Sequence, residues 1–421
     1  MKIAIITPEY PPKWGGIGTY VYYLSNALSK AGNEIHIITR KENIKRESNP
    51  QSNIYIYEVP WVYAPVLFST SFSKNAVLKL IQINIDFDIV FLQCPYVSVS
   101  SKLFTLIKSP VISIMHGTWK GERKALKIDG NLLQSPSDIS MLLTSHLLEK
   151  YEKIAMRKSA GIITISKYCA EELLHYGVQN KIIAGKLEII SNGVDSKIFH
   201  PAKDDSEKEE IRTKFGVKPN EFMLLFVGRL VARKGVNVLL DAMANLVISK
   251  GISNVKLYIV GKGPLEKRLI VQAKRLGIYG KLNIMEISGS EELAQIYAAS
   301  DIFVFPSYYE GFGIVILEAM ACGIPAISSN ISAIPEVVIN NKTGCLVEPG
   351  NSNDLALKIE YLIKNKDLCI KMGKESRITV LAKYDWDIIA RSTIAIFNKV
   401  AIENKSKLEK EAILCSGKKN T

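Results

Sequence analysis

Asp301–Pro325, DIFVFPSYYEGFGIVILEAMACGIP, is the stretch from which the fold reads most directly. A β-branched and aromatic run ends at Pro306, a loop carries Glu310, and Gly313 opens an apolar helical segment containing Glu318. A short buried strand that hands over to a helix is half of a β-α-β unit. Ile314, Val315, Ile316, Leu317, Ala319 and Met320 surround Glu318, so its carboxylate is costly to bury without partners. A buried ion pair or a helix-start carboxylate accounts for either glutamate alone. A pair of ligand hydroxyls would also satisfy Glu318, and the helix start at Gly313 would offer backbone N–H groups to an anion.

The same alternation extends outward in both directions. Phe222–Val227, Val255–Val260, Lys281–Met285, Ile302–Phe305 and Pro325–Ser328 read as strands of one parallel sheet. Lys2–Thr7, Glu34–Thr39, Asn53–Val59, Asp88–Gln93, Val111–Met115, Gly161–Ile165 and Leu187–Ile190 read as strands of another. Between them, residues 199–220 are charged and poor in apolar side chains, which suits a linker with a surface helix. A chain of 421 residues exceeds what one core usually supports. The expectation is therefore an α/β protein of two Rossmann-like, doubly wound domains facing a cleft, with ligands beyond the carboxyl ends of the strands.

Composition narrows the class. No apolar run approaches a membrane span, and the short run after Lys2 stops at Pro8 and Glu9, unlike a secretory signal. The six cysteines form no CxxC pair and have no histidine at ligand spacing, which argues for free thiols in a reducing cytosol and against a zinc site. The net charge of +13 is spread over both halves. That charge fits an anionic ligand, a membrane surface or nucleic acid, and equally a lysine-rich composition without function. No nucleic-acid recognition motif or basic stripe with interleaved aromatics is present.

Three further features carry chemistry. Gly15-Gly16 follow the first strand and precede a helix beginning near Thr19, a place where backbone can approach an anion or simply turn tightly. The loop is not a GxGxxG fingerprint. Gly228-Arg229 and Lys234-Gly235 bracket the loop after strand Phe222–Val227, where a bidentate guanidinium and a point-charge ammonium can hold a diphosphate. Asp86-Phe87-Asp88 has the DxD form of a metal-holding pair, but it precedes its strand and reads as structural.

Glu310 to Glu318 resembles the E-x7-E motif of retaining GT-B glycosyltransferases, family 4 in particular. Gly15-Gly16, Met115-His116-Gly117-Thr118, Ser191-Asn192-Gly193-Val194-Asp195, Val227-Gly228-Arg229 with Lys234-Gly235, and Val260-Gly261-Lys262-Gly263-Pro264 are similar to family motifs in the same order. The resemblance implies transfer of a hexosyl group from a UDP- or GDP-linked sugar to a hydroxyl acceptor, with retention, for glycan biosynthesis. It implies no cofactor and no metal, the nucleotide sugar being a substrate. Arg229 and Lys234 would bind the diphosphate, and Glu318 the ribose. Glu310 would face the transferred sugar, helped by backbone around Gly311, Phe312 and Gly313. Gly15 and Gly16 would approach the donor phosphates, and His116 the sugar or the reacting centre.

The implied organisation is an acceptor-side domain over 1–199 and a donor-binding domain over 200–383. A helix over 384–402 crosses back, and a polar, frayed tail occupies 403–421. Epimerisation, phosphorolysis or a non-catalytic nucleotide-sugar-binding subunit are the alternatives on this scaffold. The acceptor, a sugar or a lipid-linked one, is unspecified. Ser69–Ile85 can form a helix with apolar residues on one side and Lys74 and Lys79 toward the other. With Lys120, Arg123, Lys124 and Lys127 it would give a cytoplasmic enzyme a basic, apolar face for peripheral membrane contact, or else pack on the sheet.

Overall fold

The computed structural model describes residues 1–11, 15–42, 53–64, 67–128, 136–287 and 289–417. It contains two parallel sheets. The first consists of β1 (Lys2–Ile6), β2 (Glu34–Arg40), β3 (Ile54–Val59), β4 (Ile89–Cys94), β5 (Val111–Met115), β6 (Gly161–Thr164) and β7 (Leu187–Ile189). Its order is β3-β2-β1-β4-β5-β6-β7. The second consists of β8 (Phe222–Val227), β9 (Val255–Val260), β10 (Leu282–Met285), β11 (Ile302–Phe305), β12 (Ala326–Ser329) and β13 (Gly344–Val347), in the order β10-β9-β8-β11-β12-β13. Both orders reverse direction beside the first strand of the sheet, as in the doubly wound Rossmann arrangement. The reversal lies between β1 and β4 in one sheet and between β8 and β11 in the other.

The central strands are buried throughout, as their continuous β-branched and aromatic composition requires. Register is plain between neighbours: Ile3 to Ile6 face Ile89 to Leu92, and Ile302 and Phe303 face Leu224 and Leu225.

β13 escapes the sequence reading because it is a four-residue edge strand that starts on a glycine. A Cβ at Gly344 would stand 2.0 Å from the Ala326 carbonyl oxygen, so close approach to β12 explains the residue.

The chain divides into a unit of Met1–Lys120, Leu143–Ser191 and Trp386–Thr421 and a unit of Asn192–Asp385 with Gly121–Leu142. The boundary therefore falls at Ser191, earlier than residue 199. Ser191–Asp195 begins the crossing, and Val194 N–H donates to the Tyr384 carbonyl at 2.8 Å within the second unit. The linker helix Asp205–Lys214 is capped by Asp204, whose carboxylate accepts from Glu207 N–H at 2.9 Å.

The frayed tail is a correction. The helix that begins at Trp386 runs through Gly417. Lysine, glutamate and leucine propagate a helix well without burial, so polar composition does not end it. Its start packs in the first unit, Trp386 lying against the rings of Tyr20 and Tyr23.

Asp88 receives Lys2 N–H at 2.8 Å at the amino ends of β1 and β4. No described helix is long and apolar enough to cross a membrane.

Candidate active site

The second unit assembles its predicted residues at the reversal point. β8 leads into Gly228-Arg229, and the following turn Ala232–Lys234 ends at Gly235, φ +67°. A Cβ there would stand 2.1 Å from the Pro306 carbonyl oxygen. Glycine thus lets the lysine turn press on the end of β11, which brings Lys234 to Glu310. Lys234 Nζ donates to Glu310 Oε1, and Ser307 Oγ donates to the same oxygen at 2.9 Å. Both charged side chains are nearly covered, at 12% and 11% exposure. Burial pulls the Lys234 pKa down while the Glu310 carboxylate pushes it back up. Its ammonium also stands 4.9 Å above the Phe305 ring. Arg229, one loop earlier, is exposed and makes no ion pair among the described residues. The two cations are therefore in different states: Lys234 is compensated and Arg229 is not.

Gly311 and Phe312 form the turn from Glu310 to Gly313, whose φ of +94° caps the helix Ile314–Ala321. No side chain caps this helix and no acidic residue occupies its first turn; Ile316 N–H donates to the Gly313 carbonyl at 2.9 Å, which leaves the N–H groups of Ile314 and Val315 for another acceptor. Glu318 is buried on the same helix, and Tyr297 donates to its Oε2 at 2.9 Å. Desolvation raises the Glu318 pKa to about 7, against the opposing effect of the Tyr297 hydrogen bond. Among the described residues the carboxylate thus has one hydrogen-bond donor where an ionised group would use more.

In the first unit, Gly15 is the N-cap of the helix Gly16–Lys30, which also lacks a side-chain cap. A Cβ on Gly15 would collide with the Glu9 carboxylate, whereas one on Gly16 would meet nothing within 4 Å among the described residues. Pro12, Lys13 and Trp14 of the same loop lie outside the described residues. His116 follows β5 and continues the ladder, its N–H donating to the Cys94 carbonyl at 3.1 Å. Its Nε2 is 2.9 Å from Gln93 Oε1, and its ring meets Tyr20 edge-on at 4.7 Å. Burial drops its pKa to about 3, so His116 is a neutral hydrogen-bonding group at ordinary pH.

Sequence reasoning missed the residues that hold these groups. Ser307 and Gln93 had a signal, being polar at the carboxyl ends of buried strands. Tyr297 had none. Two buried carboxylates were also unseen: Glu152 accepts from Trp119 N–H at 3.1 Å, and Glu172 accepts from Thr118 Oγ1 at 2.8 Å. They fasten the turn that follows His116.

Against known proteins, the family described as Glycosyltransferase Family 4 matches residues 14–197, and Glycosyl transferases group 1 matches residues 207–379. An uncharacterized glycosyltransferase of Methanocaldococcus jannaschii is 28% identical over 96% of this chain and 99% of its own. Sucrose-phosphate synthase from Thermosynechococcus elongatus superposes with a TM-score of 0.79, at 24% identity, over 95% of this chain and 98% of that one. Anabaena HepE in complex with UDP-glucose gives a TM-score of 0.70, at 19% identity, over 96% and 100% of the two chains. With two parallel doubly wound sheets and both family regions in order, the chain is a GT-B glycosyltransferase of family 4.

Proposed function

We propose that the protein transfers a hexosyl group from a UDP- or GDP-linked sugar to a hydroxyl acceptor, with retention and without a metal ion. The observation that carries this reading is the group at the end of β8 and β11. There an uncompensated Arg229, a buried Lys234–Glu310 pair and an uncapped helix start belong to one unit. Departure of the diphosphate leaves negative charge that Arg229, Lys234 and the first turn of Ile314–Ala321 can stabilise. The hydroxyls of a ribose would complete the acceptor capacity of Glu318. HepE, of the same fold, is described with UDP-glucose, which supports a nucleotide-sugar donor.

A panel of UDP- and GDP-sugars, scored by thermal shift and then by nucleotide release with hydroxyl acceptors in excess EDTA, tests the reading. Release that depends on an acceptor and survives chelation supports it. Loss on chelation restored by manganese or magnesium removes metal independence, and nucleotide-sugar conversion without acceptor points to epimerisation.

A finer reading concerns the acceptor. The helix Leu67–Ile83 spends Phe72, Ala76, Val77 and Leu80 on the core, yet Leu67, Leu78 and Ile81 stay exposed, together with Tyr63 at 92%. Exposed Lys74 lies on the same helix. This surface supports an acceptor presented at an anionic membrane.

A further inference from the structure

The parallel first sheet has its candidate ligand groups at one edge, where Gly16 and His116 follow the carboxyl ends of β1 and β5. The opposite, amino edge carries a different feature. A groove of ≈ 580 Å³ runs between the segments that lead into β5, β6 and β7 and the helix Trp386–Gly417. Lys108, Lys158, Lys181, Lys186 and Lys407 line it, and Glu403 is the one acidic residue among its lining. The five lysines come from separate segments: the approach to β5, the end of the helix Pro136–Lys158, the helix Gln179–Ile183, the turn before β7 and the C-terminal helix.

The charges of Lys158, Lys181 and Lys186 are positioned more than they are neutralised. Lys181 Nζ donates to the Ser159 carbonyl, and Lys158 Nζ donates to the Ser101 carbonyl at 3.3 Å. A carbonyl oxygen fixes an ammonium in place and leaves its full charge. Glu403 stands 3.8 Å from Lys186 with both side chains almost half exposed, a pair that screening makes weak. Lys181 is half-buried, and its pKa is pulled down by burial and then by repulsion from Lys186. An anion seated between these ammonium groups would relieve that repulsion. The volume falls in the range of small-ligand sites, and ammonium groups bind phosphoryl oxygens as point charges.

We propose that this groove is a second anion site, for a phosphate-bearing ligand of multiple negative charge, separate from the donor site. Such a ligand can be a free oligophosphate or a phosphorylated lipid headgroup. The groove lies wholly within the first unit and at the amino edge of its sheet, so it does not depend on the donor reading.

Calorimetric titration of inorganic pyrophosphate into the full chain at low salt tests it. Because Arg229 and Lys234 also attract a diphosphate, the decisive protein is the Arg229→Ala/Lys234→Ala variant. It should still bind one equivalent. Adding Lys158→Gln, Lys181→Gln and Lys186→Gln should weaken that binding tenfold or more. In the wild-type background the same three changes should leave turnover and Tm unaltered. If loss of the Lys181 tether unfolds the chain, the exposed pair Lys158→Gln/Lys186→Gln carries the same comparison. Sedimentation with phosphatidylglycerol vesicles separates the sources. Retention that falls with the lysine changes identifies a headgroup; pyrophosphate binding without retention identifies a free anion. The proposal is overturned if the donor-site variant binds no pyrophosphate and vesicle retention ignores the three lysines.

Discussion

The two sheets wind in the same order, but the glycines at their carboxyl ends answer to different demands. In the second unit, a Cβ on Gly235 or Gly261 would stand 2.1 Å from a carbonyl oxygen, of Pro306 and Gly228 respectively. Packing alone requires these residues. In the first unit, Gly16 opens a helix and a Cβ there would touch nothing within 4 Å among the described residues. A glycine that packing demands says nothing direct about ligands. A glycine with open space among the described residues beside an uncapped helix start is not demanded by that packing, and close approach of a bound anion gives it a use. The cations divide in a parallel way: Lys234 is spent partly on Glu310, while Arg229 stands uncompensated.

The largest effect should come from that last contrast. Arg229→Ala should lower turnover by roughly 10²–10³-fold with an unchanged Tm, since the side chain is exposed. Lys234→Ala should lose as much activity and also stability, because it leaves the Glu310 carboxylate buried without its cation. Steady-state kinetics beside calorimetry separate the two. Wild-type turnover in Arg229→Ala would remove that residue from the mechanism.

Next in size are the glycines. Gly235→Ala combines a left-handed backbone with a collision against Pro306, and should cost on the order of 3 kcal/mol. Gly16→Val should leave Tm within a few degrees and weaken nucleotide-sugar binding about tenfold or more. Equal loss of stability in both variants would erase the distinction between the two regions.

The buried carboxylates give a comparable but pH-dependent effect. Burial raises Glu318 to about 7 and Glu152 to about 8, well above an unfolded glutamate. An acid whose pKa is raised on folding holds more protons folded than unfolded. The stability these two carboxylates contribute is therefore fully present below about pH 4.5 and is lost as pH rises through about 8, by up to about 3 kcal/mol for Glu318 alone, while His116, lowered to about 3, works in the opposite sense below pH 6.5. In urea unfolding from pH 5 to pH 8, the stability of the wild type relative to Glu318→Gln should decline, since the contribution of His116 is common to both proteins. Nucleotide hydroxyls that donate to ionised Glu318 should bind more tightly as pH rises through about 7. A pH-independent affinity would exclude Glu318 from the ribose contact.

Much of this was legible in the sequence because strand composition and loop glycines are local signals. Asp301–Pro325 gave a strand, a turn and a helix whose burial matches its apolar run. The bulk of the strands fell within a residue or two of their positions. What stayed hidden was long-range. Nothing in the sequence pairs Tyr297 with Glu318, or places Glu152 beneath Trp119, because those contacts are set by tertiary packing. The continuation of the C-terminal helix beyond residue 402 escapes for a related reason, as solvated polar residues resemble a tail until their helical propensity is weighed.

The smallest expected effect concerns the surface of the first unit. The sequence leaves its amphipathic helix two settings, contact with lipid or packing on the sheet; in the structure its apolar side is core, so what remains exposed is scattered. Leu67, Leu78 and Ile81 are each about half exposed, and Tyr63 almost wholly. Such a surface, with Lys74, can give only shallow contact, each cation near an anionic surface contributing about 1 kcal/mol. The Lys127 side chain lies outside what is described. Liposome co-sedimentation should therefore show partial binding to anionic vesicles at low salt, fading above physiological ionic strength. Tyr63→Ser with Leu67→Ser should reduce it further while turnover on a soluble acceptor is unchanged. If the wild type remains in the supernatant at low salt, membrane presentation of the acceptor fails, and the comparison between the units reduces to their ligand-facing edges.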